Sequence, residues 1–165
     1  MSYSLPRRTA LVLAAGPGAV LAYAVLTAVP AQAASTSCPA PGATSVAAAQ
    51  DEAQCSATSV GGSAAAAYGV GGGASANAGP TSLSLAIGQN GGTAVSRSDA
   101  LSGPAALALG PGARADVEGV RPGLSIGIAG PGATVTVTGT NTPTCSGGMA
   151  FAGDFQTLQG CMSTG

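Results

Sequence analysis

Bulky apolar residues recur at alternate positions in short runs along the second half of this chain. Leu83, Leu85 and Ile87 alternate with Ser84 and Ala86, and the pairs Leu107/Leu109, Ile126/Ile128 and Val135/Val137 repeat the spacing. A period of two is that of a strand that turns one row of side chains toward a core. Runs of four to six residues bounded by Gly, Pro and Asn predict strands and turns rather than helices. The four alanines at 64–67 do not nominate a helix, because Gly61-Gly62 and Gly69 flank them too closely.

The runs form a degenerate repeat. Leu85-Ala86-Ile87-Gly88 is echoed by Leu107-Ala108-Leu109-Gly110 and by Ile126-Gly127-Ile128-Ala129, with a poorer first copy at Ala67-Tyr68-Gly69. A Gly-rich turn follows each: Gly71-Gly72-Gly73 after the poorer copy, then Gln89-Asn90-Gly91-Gly92, Pro111-Gly112, and Gly130-Pro131-Gly132. A second alternating run comes next, as in Thr93-Ala94-Val95-Ser96, Arg114-Ala115-Asp116-Val117 and Thr134-Val135-Thr136-Val137. Markers 69, 88, 110 and 129 give a period near 20 residues. The expected fold is all-β: a small β-solenoid or β-roll of about four coils, in which stacked coils bury a continuous apolar column. Leu85, Ile87, Leu107, Leu109, Ile126 and Ile128 would form that column, or line a cavity if it is not packed.

Composition sets the competing readings. Of 165 residues, 36 are Ala, 27 Gly and 11 Pro, whereas Leu, Ile, Val and Phe total 29. Repeats can arise from such bias alone, so a different compact all-β fold and a flexible low-complexity chain stand as alternatives. The formal charge of −1 removes charge repulsion as a cause of disorder. With five Arg and a pI near 4.9 there is no basic patch, and no nucleic-acid partner is expected.

The chain has no His and no Lys, which excludes Ser–His or Cys–His nucleophilic pairs, imidazole metal ligation, P-loops and Schiff bases. No enzyme activity, cofactor or metal is expected. Asp99, Asp116 and Glu118 are candidate carboxylates for acid–base work or calcium, but read better as sparse solubilising charges. Val70-Gly71-Gly72-Gly73-Ala74-Ser75 lacks the Asp of calcium-binding β-roll repeats. Gly69-Val70-Gly71-Gly72-Gly73-Ala74 resembles a dinucleotide fingerprint but has neither a βαβ context nor the distal acid.

Residues 1–33 read as an export signal. Arg7 and Arg8 form a basic start, 9–29 are apolar or small, and Ala31-Gln32-Ala33 is a small-residue cleavage pattern. Gly16-Pro17-Gly18 interrupts the run and argues against a membrane anchor. The paired arginines leave both general secretion and the twin-arginine route open. Cleavage leaves residues 34–165, bearing Arg97, Arg114 and Arg121 against six acids, a net −3.

All four cysteines fall in that region. An exported chain meets an oxidising compartment, so Cys38, Cys55, Cys145 and Cys161 read as two disulfides. Three connectivities are open; sequence proximity favours Cys38–Cys55 and Cys145–Cys161. The expected organisation is a signal at 1–33, an N-terminal disulfide cap at 34–60, a repeat region at 61–140 and a C-terminal disulfide cap at 141–165. Val46 would complete the first cap. Phe151, Phe155 and Leu158, at i, i+4 and i+7, would plug the last coil, on a short helix if Gly153 permits.

The L-A-[IL]-G pattern with its turns, over residues 67–137, resembles the head repeats of trimeric autotransporter adhesins, which implies a β-roll of two-strand coils. The chain has neither a coiled-coil stalk nor a membrane barrel, so adhesion and trimerisation do not carry over. Taken whole, the signal, Ser37-Cys38-Pro39, the Ala/Gly repeats and the closing Cys145-Ser146-Gly147-Gly148 and Phe151-Ala152-Gly153-Asp154-Phe155 resemble small secreted actinobacterial proteins of the mycobacterial type, an uncharacterised group. The expected function is a secreted or cell-envelope-associated, non-enzymatic structural or interaction protein, with cell-surface or homo-oligomeric contacts. The alternative is a carrier or binding module for a small apolar molecule or lipid.

Overall fold

The computed structural model describes residues 33–165, so the export signal expected at 1–33 lies outside the described residues except for Ala33. Among the described residues there is no helix. The first seven strands are β1 (Ser35–Pro41), β2 (Thr44–Gln50), β3 (Ala53–Ser59), β4 (Ala64–Val70), β5 (Gly73–Ala78), β6 (Leu83–Gln89) and β7 (Thr93–Ser98). The remaining seven are β8 (Ser102–Leu109), β9 (Arg114–Gly119), β10 (Gly123–Ala129), β11 (Thr134–Val137), β12 (Thr144–Ser146), β13 (Met149–Asp154) and β14 (Gln159–Thr164).

They form two seven-stranded sheets. Sheet A runs β1-β4-β6-β8-β10-β13-β14 and sheet B runs β12-β11-β9-β7-β5-β3-β2. The inner pairs are parallel (β4, β6, β8 and β10 in A; β3, β5, β7, β9 and β11 in B), and the outer pairs are antiparallel. Each coil is thus one strand of B followed by one of A: β3–β4, β5–β6, β7–β8 and β9–β10. This is a β-solenoid of about four coils. Antiparallel strands close both ends, and parallel stacking begins at β3, inside the segment expected as the N-terminal cap.

The register amends one step of the repeat. Gly69 pairs with Gly88, Gly88 with Ala108 and Ala108 with Ala129. Ile87 therefore stacks on Leu107, and Leu85 on Ala105, two residues away from the alignment that the L-A-L-G echo at 107–110 implies. The echo is a local coincidence of alternating Ala and Leu.

Two kinds of corner join the strands. At 89–92, 110–113 and 130–133 the last residue donates its amide to the first residue's carbonyl (2.9, 3.1 and 3.0 Å), the Gly-rich turns expected from sequence. Gly91 (φ +81°) and Gly132 (φ +66°) supply the left-handed conformation there. At the other corner a serine does the work. Ser63 Oγ accepts from the Val60 amide at 3.0 Å and Ser102 Oγ accepts from the Asp99 amide at 3.1 Å. Ser102 Oγ also donates to the Gly119 carbonyl of the next coil at 2.8 Å, so the corner serines tie one coil to the next.

The core is made of small residues. Ala65, Ala67, Ala86, Ala106, Ala108, Ala129, Ala150 and Ala152 of sheet A face Ala57, Ala74, Ala76, Ala94, Ala115, Val117, Val135 and Val137 of sheet B, all buried in one cluster. Ser84 Oγ crosses the core to the Ser96 carbonyl at 2.9 Å. The sheets approach so closely that a Cβ at Gly69 would lie 2.5 Å from the Gln54 carbonyl oxygen, and one at Gly127 2.6 Å from Val117 Cγ2. Val117 and Val135 fit only because the residue opposite them is glycine.

This overturns the expected apolar column. Val135 and Val137 do point inward, but Leu85, Ile87, Leu107, Leu109, Ile126 and Ile128 occupy the alternate, outward positions, and Leu83 is 64% exposed. No internal cavity is lined by them. Short corners hold the sheets too near for Leu or Ile, so the small members of each alternating pair went inside.

Cys38 is bonded to Cys55 and Cys145 to Cys161, as sequence proximity favours. The first links β1 of sheet A to β3 of sheet B; the second links β12 of B to β14 of A. Each clamps the two sheets together at one end of the stack. Val46 packs on the core under the first cap, and two disulfides fit an oxidising environment.

Candidate functional site

The two outer faces of the solenoid differ in chemistry. Sheet B presents mainly polar residues at its outward positions, Gln54, Ser56, Thr58, Ser75, Asn77, Thr93, Arg97, Arg114, Asp116, Glu118, Thr134 and Thr136, with Val95 among them. Arg97 reaches Asp116 on the neighbouring strand at 2.9 Å, a half-exposed surface pair. Asp116 and Glu118 therefore lie on the polar face, with Asp99 in a corner. The three candidate carboxylates are not brought to one site.

The outer face of sheet A bears no charged residue on any of its seven strands. One row crosses it from β4 to β14: Tyr68, Ile87, Leu107, Ile128, Phe151 and Met162, each registered on the next. Stacking within the row half-buries its central members, while Phe151 and Met162 remain 47% and 73% exposed. Same-face neighbours of this kind contribute about 0.2–1 kcal/mol per pair, so the row also helps hold the coils in register.

Beside that row the face is corrugated. β6 and β10 present large residues, Leu83 and Leu85, then Leu124 and Ile126. β4 and β8 present small ones, Ala64 and Ala66, then Gly103 and Ala105. The resulting groove, about 340 Å³, is lined by Leu83, Leu85, Gly103, Ala105 and Leu124 with the β4 alanines.

The C-terminal aromatic group is not a plug. Phe151 stands on the outer face of β13, while Phe155 and Leu158 are exposed in the β13–β14 turn. The end is covered instead by the hairpin itself, with Ala150 and Ala152 inward and Cys161 packed on the core. Gly153 lies in strand, not helix. The stretch 69–74 that resembles a nucleotide fingerprint is the end of one strand, a corner and the start of another.

Gln156 carries a role that the sequence did not reveal. The fourth serine-type corner, Val120-Arg121-Pro122-Gly123, has glycine where the others have serine. Gln156 reaches in from the distant β13–β14 turn, and its Oε1 accepts from the Val120 and Arg121 amides at 3.2 Å each. Asp154, fully buried, shapes that turn by accepting from the Gln156 amide at 2.9 Å and the Thr157 hydroxyl at 2.8 Å. A missing serine at position 123 was the available signal, but only the fold shows what replaces it.

Residues 4–164 match the profile of a family of unknown function, DUF6764. The chain belongs to that family. No curated protein and no solved structure matches it. The family match spans the solenoid, both disulfides and the uncharged face, and carries no activity with it.

Proposed function

We propose that this is an exported, non-enzymatic structural or interaction protein, secreted or held at the cell envelope, that works by presenting the outer face of sheet A to another surface. The observation that carries this reading is the absence of charge from a seven-stranded face crossed by a row of large apolar side chains. Soluble monomers rarely expose apolar patches beyond a few hundred Å², and those that do use them for contact. The basic and apolar stretch at 7–29, the small-residue pattern at 31–33 and the paired cysteines support export.

The test is to express the full chain in an exporting bacterium and to compare it with Leu107→Glu. The reading predicts a product that begins at Ala34, carries no free thiol, and loses its association with other material when Leu107 is charged. A cytosolic product retaining residues 1–33 with reduced cysteines would refute export. Unchanged association of the Leu107→Glu product would refute the role of the face.

The groove on sheet A favours a second reading, a binding module for a small apolar molecule, in surface rather than enclosed form. Lipid extraction of the purified product followed by mass spectrometry separates the two. A stoichiometric acyl lipid would support the carrier, and an empty extract the interaction protein.

A further inference from the structure

We infer that the partner of the sheet A face is a second copy of this chain, packed face to face about a two-fold axis parallel to the strands and lying between β6 and β8. This rests on the reading of that face as an interaction surface and names its occupant. Shape selects that axis. Beside the central row, large residues on β6 and β10 (Leu83, Leu85, Leu124 and Ile126) alternate with small ones on β4 and β8, so this part of the face has ridges and furrows two strands apart. Rotation about that axis sets β6 over β8 of the second copy and β10 over β4. Leu83 and Leu85 then enter the furrow at Gly103 and Ala105 of the second copy, and Leu124 and Ile126 enter that at Ala64 and Ala66. This corrugated part is complementary to itself under one symmetry operation, the isologous contact of two-fold dimers, and the same rotation lays the central row on itself, with Ile87 on Leu107 and Tyr68 on Ile128 of the second copy.

The area suffices. About that axis six strands of each copy overlap, β1 to β13, and at a spacing of about 4.8 Å, with six to eight residues each at about 3.3 Å, they present roughly 600 Å². Two such faces bury roughly 1,200 Å² in projection, the size at which specific protein interfaces become stable.

Charge favours the same partner. A lipid surface is held by several cations beside an apolar face, but the strands of sheet A present none outward; Arg97 and Arg114 stand on the opposite sheet, and Arg121, in the corner before β10, is a single charge at the rim. Burial of an uncharged face against an identical one leaves no ion unpaired.

Sedimentation velocity of the exported protein, from low to high micromolar, tests this with three variants. The wild type is expected at twice the chain mass. Ala105→Leu fills the furrow and should weaken dimerisation at least about tenfold although it adds apolar surface, which non-specific adhesion would not do. Leu107→Glu should weaken it about a hundredfold by burying an unpaired carboxylate. Thr136→Glu on sheet B should leave it unchanged. Circular dichroism checks that each variant keeps its β spectrum. If Leu107→Glu does not fold, Ala105→Leu still decides.

A wild-type monomer or trimer, tighter association of Ala105→Leu, or disruption by Thr136→Glu would each overturn the inference. Flotation with phosphatidylcholine–phosphatidylglycerol vesicles separates the two levels of failure. A monomer that floats assigns the face to lipid and leaves the proposed function standing. A monomer that does not float, and whose association in the exporting cell is unchanged by Leu107→Glu, removes both.

Discussion

In this solenoid, adding one methyl group inside should cost more than removing most of a leucine outside. At Gly127 an added Cβ would lie 2.6 Å from Val117 Cγ2 and 2.9 Å from Val135 Cγ1. Neither valine can retreat, since each is fully buried on a strand hydrogen-bonded on both sides. Overpacking of that kind costs about 1–3 kcal/mol, and about 2 kcal/mol lowers Tm by roughly 6–10 °C in a unit of this size. Leu83→Ala is the counterpart. Removing three carbons at about 0.8 kcal/mol each would cost about 2.4 kcal/mol if Leu83 were buried, with a cavity term added. Because Leu83 is 64% exposed, the expected loss is about 0.9 kcal/mol. Thermal and urea unfolding, followed by circular dichroism, measure both. The Leu107→Glu background, monomeric on the proposed interface, keeps any dimer contact at Leu83 out of the comparison. A neutral Gly127→Ala together with a Leu83→Ala loss above 2 kcal/mol would refute the assignment of inner and outer faces.

Three further outcomes follow from the same geometry. Gln156→Ala strips two corner amides of their acceptor and should cost about 1–2 kcal/mol by urea unfolding, whereas Gln156→Glu, which keeps an oxygen there, should cost less. Replacing Cys38 and Cys55 together by serine opens a loop of sequence separation 17 and should lose about 3 kcal/mol, read as a lower urea midpoint with an intact β spectrum. Asp116→Asn breaks the exposed pair with Arg97 and should change stability by less than about 1 kcal/mol at moderate salt.

Strand, turn and coil were legible in the sequence because alternation and Gly-rich punctuation are local signals. The Leu83–Ile87 run predicts a strand whichever way it faces. The cysteine pairing was favoured because each pair is near in sequence, and the solenoid keeps such residues one strand apart. Facing was not legible. Leu85 and Ile87 alternate with Ser84, Ala86 and Gly88, so both sets satisfy a period of two, and the usual rule sends the larger inside. What reverses it is the narrow gap between the sheets, visible only once Gly69, Gly88 and Gly127 are seen against the opposite backbone or valines. The candidate surface was missed for the same reason: side chains expected as core became its ridges. Gln156 was hidden because its partners, Val120 and Arg121, lie more than 30 residues away.

The most direct test of the account is a methyl NOE spectrum of protein labelled at Val, Leu and Ile. Small residues inside and large ones outside predict contacts from the Val117 and Val135 methyls to the Gly127 α-protons across the core. They also predict contacts running along the outer row from Ile87 to Leu107 to Ile128. Strong contacts from the Val117 or Val135 methyls to those of Leu107 or Ile128 would place the large side chains in the core and contradict the account.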